Sequence, residues 1–470
     1  MRTGFRAIGA SLLLVLMCDG VAQAAKRPNV LLIAIDDLND WVSCLGGHPQ
    51  AKSPQIDRLA KRGVLFTNAH CQAPICNPSR TSLMLGMRPS TTGIYVNRPW
   101  FRQTAKNKTR ITLSQHFAAQ GYRTLTTGKI YHASRVDGPS FQVVGPRPGQ
   151  RLKIDAQLVK EIGNSSRLWD FGAQQYAEEE FSDFVDASWA IEKLQYKRQK
   201  PFFMAVGFYR PHVPWYAPQR FFDDRPRDDV QLPMVRDDDR KDLPAGALQL
   251  TNNSLPPSHK WFVETDHWKD AVQSYLACVS FTDAQVGRLL DALDKSPHAD
   301  NTIVVLFSDH GFHLGEKQRW AKQSLWESST RVPMIISVPG GQKGQRCSRP
   351  VELLHLYPTL LELCGLPTPD GLEGTSLGPL LKDPQASWSL PAITTYQRNN
   401  HAVRSEHWRY IRYSDGSEEL YDHRTDPHEW TNVAARPEHR AVIAEHARWL
   451  PATNVPGATA MEQKKKQQTN

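Results

Sequence analysis

The sequence predicts an α/β sandwich: a large, mostly parallel sheet between helices, then a smaller C-terminal subdomain with a short antiparallel sheet. Three observations carry this expectation. Continuous apolar runs recur along the chain, as in strands buried on both faces. Helical patterns alternate with those runs. Beyond about residue 380 the pattern changes to short alternating segments bounded by turn residues.

Taken in order, the first 24 residues read as a signal peptide. Arg2 and Arg6 form a basic start, Ala7 to Met17 an apolar run, and Ala22-Gln23-Ala24 a small-residue cleavage site. The run is too short to span a membrane, and no later stretch is apolar enough to do so. A mature chain exported to the periplasm or medium is therefore expected.

"NVLLIAID" (29 to 36) is the first buried strand. "SPQIDRLAKRG" is a short helix, with Ser53 as its cap, Pro54 at its first position and Gly63 ending it. "VLFTNA" is a strand, "TLSQHFAAQGY" a helix ending at Gly121, and "YRTLTT" a strand. "PFFMAVGF", "TIVVLFSD" and "PMIISV" add three more buried strands. Long helical patterns fill Asp183 to Gln195, Trp268 to Asp294 and Glu352 to Cys364. The stretches 135 to 182 and 222 to 262 are polar, rich in Pro and Asp, and read as functional rims. "GLPTPDGLEGTSLGPLLKDP" reads as a linker, and "HAVRSEHWRYIRYSDGSEELYD" as antiparallel strands turning at Asp415-Gly416. The expected division is a catalytic domain over 25–380, a C-terminal subdomain over 381–450, and a disordered tail over 451–470 carrying Lys464 to Lys466.

The 470 residues carry a formal charge of +9. A solvated basic surface accounts for this excess, and so does attraction to a polyanion, nucleic acid or sulfated glycan. Charge alone does not choose, and the lack of a basic-aromatic nucleic-acid motif makes nucleic acid the weaker option. Six cysteines follow the signal peptide, scattered unlike a disulfide framework: 44, 71, 76, 278, 347 and 364.

In parallel sheets ligands gather at the carboxyl ends of strands. Asp36-Asp37, His212 and Asp309-His310 all fall at such ends. Adjacent buried acids are costly unless neutralised, so Asp36, Asp37 and Asp309 point to a hard cation, calcium or magnesium. Lys129, following a strand through Gly128, and Lys322, shortly after Asp309-His310, are candidates to hold a tetrahedral anion. "CNPSRTSLMLG" places Cys76 at the amino end of a helix, where Asn77 is expected to cap a first turn starting at Pro78. A thiol is a soft ligand, mismatched to a hard cation. Oxidised to an aldehyde, it would offer the two hydroxyls of a hydrate.

These residues carry a resemblance to the sulfatase family, and most of all to its iduronate-2-sulfatase branch. "CNPSR" matches the Cys-x-Pro-Ser-Arg signal for conversion of cysteine to formylglycine (3-oxoalanine). "IAIDDLND", "GKIYH", "AVGFYRPHVP", "SYLACVSFTDAQVGRLLDAL", "SDHGFHLGE", "RWAK" and "ELYDHRTDPHEWTN" extend the match over nearly the whole mature chain. The resemblance implies an alkaline-phosphatase-like sandwich. It implies that Asp36, Asp37, Asp309, His310 and the modified Cys76 coordinate Ca²⁺, histidine at 310 marking the iduronate branch where most sulfatases have asparagine. Arg80 would hold the formylglycine hydrate, His132 would hydrogen-bond one of its hydroxyls, Lys129 and Lys322 would grip the sulfate, and His212 would assist the leaving oxygen. An ionised hydrate oxygen would attack sulfur, with His212 or Lys322 protonating the alcohol, and re-forming the aldehyde would expel sulfate.

The partners so implied are a sulfated glycan and a cysteine-modifying enzyme, formylglycine-generating or equivalent, with no nucleic acid and no membrane span. Trp41, Trp100, Trp215 and Trp320 lie near the motifs, able to stack on sugars or to pack the core. Trp100, His401 and Arg404 are the substrate candidates, the last two for a carboxylate or second sulfate. Two alternatives stay open: an aryl sulfate, phosphonate or phosphate ester hydrolase using the same aldehyde, and a non-catalytic binder of sulfated glycan.

Overall fold

The computed structural model describes residues 27–133, 135–146, 157–162, 168–252 and 255–461. The expected signal peptide and the lysines at 464 to 466 lie outside the described residues. Nine strands form the main sheet. Eight lie side by side in the order Gln345–Cys347, Val64–His70, Arg331–Ser337, Thr302–Ser308, Asn29–Ile35, Phe202–Phe208, Arg123–Gly128 and Val143–Val144. The ninth, Val351–Glu352, also pairs with Val64–His70.

All pairings in this sheet are parallel except the two made by Arg331–Ser337, with Val64–His70 and with Thr302–Ser308. The reason is local. Residues 309 to 330 form no long helix that could cross a face of the sheet, only the short turns Glu316–Gln318 and Glu327–Thr330. A parallel return needs such a crossover, so the chain doubles back instead.

Period-two geometry divides the strand side chains between two cores. Leu31, Ile33 and Ile35, with Met204, Val206, Phe208 and Leu306, pack on one face. Helices Pro54–Ala60, Ser182–Leu194 and Trp268–Asp294 cover that face. Val30, Leu32, Ala34, Phe203, Ala205, Ile303 and Val305 pack on the other, beneath Cys76–Leu85, Leu113–Ala119 and Leu356–Leu363. Burial on both faces explains why these strands read as unbroken apolar runs.

The Pro54–Ala60 helix is capped differently from the expectation. Ser53 makes no side-chain cap bond; its hydroxyl accepts from Ser43 N at 2.8 Å. The Asp283 carboxylate, from the long helix, accepts from Gln55 N at 3.0 Å and Ile56 N at 2.8 Å.

Four antiparallel strands, Ala392–Thr395, His401–Arg404, Trp408–Arg412 and Glu418–Asp422, form a second sheet in chain order. It is seated on the segment just before Cys76: Thr395 N donates to Gln72 O at 2.8 Å, and Thr394 Oγ1 to Cys71 O at 2.6 Å. Residues 451–461, the start of the tail expected to be disordered, run back as a strap along 90–103. Val455 N donates to Ser90 O, Ala458 N to Gly93 O and Met461 N to Gln103 O, each at 3.0 Å or less. Among the described residues no helix is long and apolar enough to cross a membrane, and the six cysteines are unpaired thiols.

Candidate active site

Five segments converge at the carboxyl edge of the main sheet. Asp36 and Asp37 follow Asn29–Ile35, Asp309 and His310 follow Thr302–Ser308, and Lys129 follows Arg123–Gly128. His212 lies just past Phe202–Phe208, and Lys322 comes from the 309–330 connection. Cys76 is the first residue of the helix Cys76–Leu85. Asn77 therefore sits inside the first turn and is not its cap. Its side chain donates to Val96 O at 3.0 Å and Pro99 O at 3.1 Å, while its backbone N–H donates to Asn97 Oδ1 at 3.2 Å. An amide from a neighbouring loop thus satisfies one of the free N–H groups of the nucleophile's helix.

Asp36, Asp37, Cys76 and His310 are buried and bring one ligand atom each within 4.8 Å of one another. Asp309 borders the group, its Oδ1 accepting from Asp37 N at 3.2 Å and its Oδ2 from Arg80 Nε at 2.6 Å. Arg80 also donates to Asp36 Oδ1 at 3.0 Å and to the Lys129 carbonyl, so it ties three of the five segments together. Lys322 Nζ donates to both Asp37 oxygens at 2.6 and 2.8 Å and lies 3.6 Å from Cys76 Sγ. Lys129 Nζ pairs with Asp36 and lies 4.0 Å from the same sulfur. His310 Nε2 is 3.3 Å from Cys76 Sγ.

Burial opposes every charge here, and the neighbours decide which survive. Asp36 is held well below the usual carboxylate range because Lys129, His212 and Arg80 outweigh its desolvation. Burial pushes Asp37 up to about 7 against the pull of Lys322. Burial and Asp36 push the Cys76 thiol up, yet Lys129, Lys322 and His310 hold it below its ordinary value. Burial and the Lys129 charge drive His132 down to about 3, leaving a neutral ring. Its Nδ1 is buried with no partner among the described residues. His212 Nδ1 donates to Val213 O at 2.6 Å, which turns Nε2, 4.0 Å from Asp37 Oδ2, toward the cluster.

The remaining candidates stand elsewhere. Trp100 is half-buried on the 93–100 loop, edge-on to Tyr131. Trp41, Trp215 and Trp320 are buried core residues; Trp320 stacks on Phe262 at 3.7 Å. His401 is buried against Thr395, with Nδ1 2.9 Å from Oγ1. Arg404 is turned to Glu327, at 3.2 Å, away from Cys76. Sequence reasoning missed Tyr275, whose hydroxyl donates to Asp37 O at 2.8 Å and accepts from Asn39 N at 3.0 Å. Asp37 is the residue held, in the left-handed region at φ 63°. The helical pattern around Tyr275 gave no sign of this polar task.

Fold and site together define an enzyme class: an α/β protein that aims a buried nucleophile, a carboxylate–imidazole cluster and two ammonium groups at one point. The sulfatase family model matches residues 28–366, and a model for the C-terminal part of N-sulphoglucosamine sulphohydrolase matches residues 315–454. The chain is 41% identical to a sulfatase of Formosa agariphila over 449 residues, covering 92% of this chain and 88% of that one. It is 32% identical to human iduronate 2-sulfatase over 426 residues, covering 78% and 76%. It is also similar to a solved structure described as in complex with its substrate D-glucosamine-2-N,6-O-disulfate. That match has a TM-score of 0.70 at 21% identity over 90% of this chain and 96% of that one. The chain belongs to the sulfatase family, whose members hydrolyse sulfate esters and typically use a metal ion and formylglycine.

Proposed function

We propose that the protein removes sulfate from a sulfated carbohydrate, as an iduronate-2-sulfatase-like enzyme working with calcium and a formylglycine made from Cys76. The observation that carries this reading is the convergence of Lys129, Lys322 and His310 on the sulfur of Cys76, within a buried group of metal-ligating atoms. The names of the relatives add support: one is an iduronate 2-sulfatase, and one was solved in complex with its substrate D-glucosamine-2-N,6-O-disulfate.

The donor set fits a hard divalent ion. Two adjacent carboxylates, one of them pushed up by burial, are what such an ion relieves. Asp36, Asp37, Asp309, His310 and the oxidised side chain at 76 would hold calcium, which would supply positive charge for the sulfate oxygens. Formylglycine at 76 would supply a hydrate oxygen as nucleophile and an aldehyde whose re-formation would release sulfate; Cys76 Sγ marks the place of its oxygens. Lys129 and Lys322, released from the carboxylates, hold the sulfate as point charges. Arg80 fixes the nucleophile's helix against Asp36 and Asp309. Lys322, kept charged beside Asp37, would give a proton to the leaving alcohol. His212 is held neutral by burial and the Lys129 charge, with its ring proton on Nδ1 bound to Val213 O, and offers Nε2 as an acceptor to the departing hydroxyl. Neutral His132 would accept a proton from the second hydroxyl at position 76.

Export through residues 1–24 would place the enzyme in the periplasm or medium, after a cysteine-modifying enzyme has acted. The test is mass spectrometry of the peptide carrying Cys76, joined to turnover of matched aryl sulfate and aryl phosphonate esters and of defined sulfated disaccharides. Formylglycine with preference for sulfate is expected. An unmodified thiol in protein from its native host sinks the mechanism, and faster phosphonate cleavage reassigns the reaction.

A further inference from the structure

The long polar stretch 222–262 supplies no group to the chemistry described above, yet it grips the 309–330 connection that carries Lys322. That connection has no long helix to fix its shape, and its backbone is unusual. Gly315 stands at φ 128°, and Lys317, Gln318 and Gln323 stand at 55°, 52° and 73°, in the left-handed region. Residues with a Cβ adopt that conformation at a cost in free energy, and it persists only where the surroundings over-determine it. Lys322 lies between the second and third of these residues. The place of its ammonium beside Cys76 therefore depends on how the turn at 317–318 is held.

Three consecutive side chains hold it. Lys317 is buried, and its Nζ donates to Asp239 Oδ1 at 2.7 Å and to the Glu429 carbonyl. The same ammonium lies 5.2 and 5.7 Å from the ring centres of Tyr421 and Trp326. Gln318 Nε2 donates to Asp237 O at 2.9 Å. Arg319 donates to Thr251 O from one arm of its fork and to Lys322 O, at 3.4 Å, from the other. Among the described residues, Lys317 alone of the three hydrogen-bonds both the 222–262 stretch and the C-terminal subdomain, 78 positions before it and 112 after it. Asp239 is buried as well, so this is no solvated surface pair. Glu429 is itself left-handed, at φ 59°, with its carboxylate fixed by Arg409 and His423.

We propose that Lys317 is a positioning residue for the reaction: held between Asp239 and the Glu429 carbonyl, it keeps the left-handed turn in the shape that delivers Lys322 to the leaving oxygen. This rests on the sulfatase reading, in which Lys322 gives the alcohol its proton. It assigns the 222–262 stretch and the C-terminal subdomain a shared task in catalysis, exerted through Lys322 and not on the substrate.

The test uses aryl sulfates whose leaving phenols span a wide range of acidity. Lys317→Met strands Asp239 in a buried place and should lower the melting midpoint. Joining it to Asp239→Asn leaves no unpaired charge, and the midpoint should return toward that of the wild type. In this double variant kcat should still fall, by roughly tenfold to a hundredfold on the poorest leaving group and under about threefold on the best. A displaced proton donor costs most where the leaving oxygen most needs its proton. Lys317→Arg, which keeps a donor for Asp239, should recover part of the loss. A crystal structure of the double variant should show Lys322 Nζ drawn away from Asp37. An equal loss on every leaving group, an unchanged kcat, or an unmoved Lys322 overturns the proposal. If the wild type turns over no sulfate ester, the sulfatase reading falls instead, and the place of Lys322 in that crystal structure still decides what Lys317 does.

Discussion

Among the described residues, two groups of side chains bring three or more metal-ligating atoms within 4.8 Å of one another: Asp36, Asp37, Cys76 and His310, and Glu327, His423 and Glu429. The second lines a cavity of about 820 Å³ that does not include the first. By residue type the two look alike, yet their bases differ. Around Glu327 and Glu429 the partners are guanidiniums: Arg409 meets both carboxylates, Arg404 meets Glu327, and His423 Nε2 lies 3.0 Å from Glu429. Forked, always-charged donors fix two acids in a geometry that asks for nothing further. Strands His401–Arg404 and Trp408–Arg412 are thereby fastened to the 327–330 turn. Around Cys76 the carboxylates are met by ammoniums as well as by Arg80. Lys322 and Lys129 lie 3.6 and 4.0 Å from the sulfur, just beyond His310 at 3.3 Å, and are compact charges able to move from a carboxylate to an arriving anion. Proximity of ligand atoms does not separate a reactive cluster from a structural one; the chemistry of the counter-charges does.

The comparison breaks most sharply at the nucleophile. Cys76→Ala should lower kcat on any sulfate ester by about 10³-fold or more, because the groups around it act as a unit. Its melting midpoint should stay near that of the wild type, since little packed volume is lost. Turnover within tenfold of the wild type would return the Cys76 cluster to the status of the second one.

The opposite pattern is expected at Glu327. Glu327→Gln leaves Arg404 and Arg409 buried against a neutral amide, and breaking such a buried pair costs about 3–5 kcal/mol. The midpoint should fall measurably while kcat of the folded fraction holds. A loss of kcat without a loss of stability would show that the Glu327 cluster takes part in the reaction.

Cation linkage sharpens the same contrast. An ion that binds only the folded state stabilises by about 2.7 kcal/mol at 100 times its Kd. Calcium should raise the midpoint of the wild type and of Glu429→Gln, but not of Asp37→Asn. If Glu429→Gln abolishes the rise, the ion belongs to the second group.

Much of this was legible in the chain. "NVLLIAID" and "TIVVLFSD" place acids at the ends of strands whose parallel, doubly buried character the apolar runs disclose, so Asp36 and Asp309 could be brought together on paper. The Trp268–Asp294 helix matches its expected bounds. What stayed hidden depends on partners distant in sequence. Arg404 looked like a free cation because Glu327 lies 77 positions away. Ser53 looked like a cap because Asp283 comes 228 positions after Gln55. Tyr275 reads as core until the turn at Asp37 is folded onto its hydroxyl. Local pattern reports which face is apolar; it does not report which distant polar atom arrives there.

The smallest expected effect lies at Asn97, where that lesson reaches the active site itself. Ile75, which occupies the cap position of the nucleophile's helix, offers no side-chain bond, and Asn97 Oδ1 reaches Asn77 N from the next loop. Asn97→Ala leaves that N–H unsatisfied and should destabilise by about 1 kcal/mol, as removal of a helix cap does. The same bond holds the 93–100 loop to the helix, so the effect on turnover should be a drop in kcat below about tenfold. Asn97→Asp keeps an acceptor at that place and should restore the midpoint, while its added charge beside Arg98 should weaken a polysulfated ligand. Restored stability with unaltered polysulfate affinity would mean that the loop anchors the helix but does not face the saccharide, leaving anchoring as its only task.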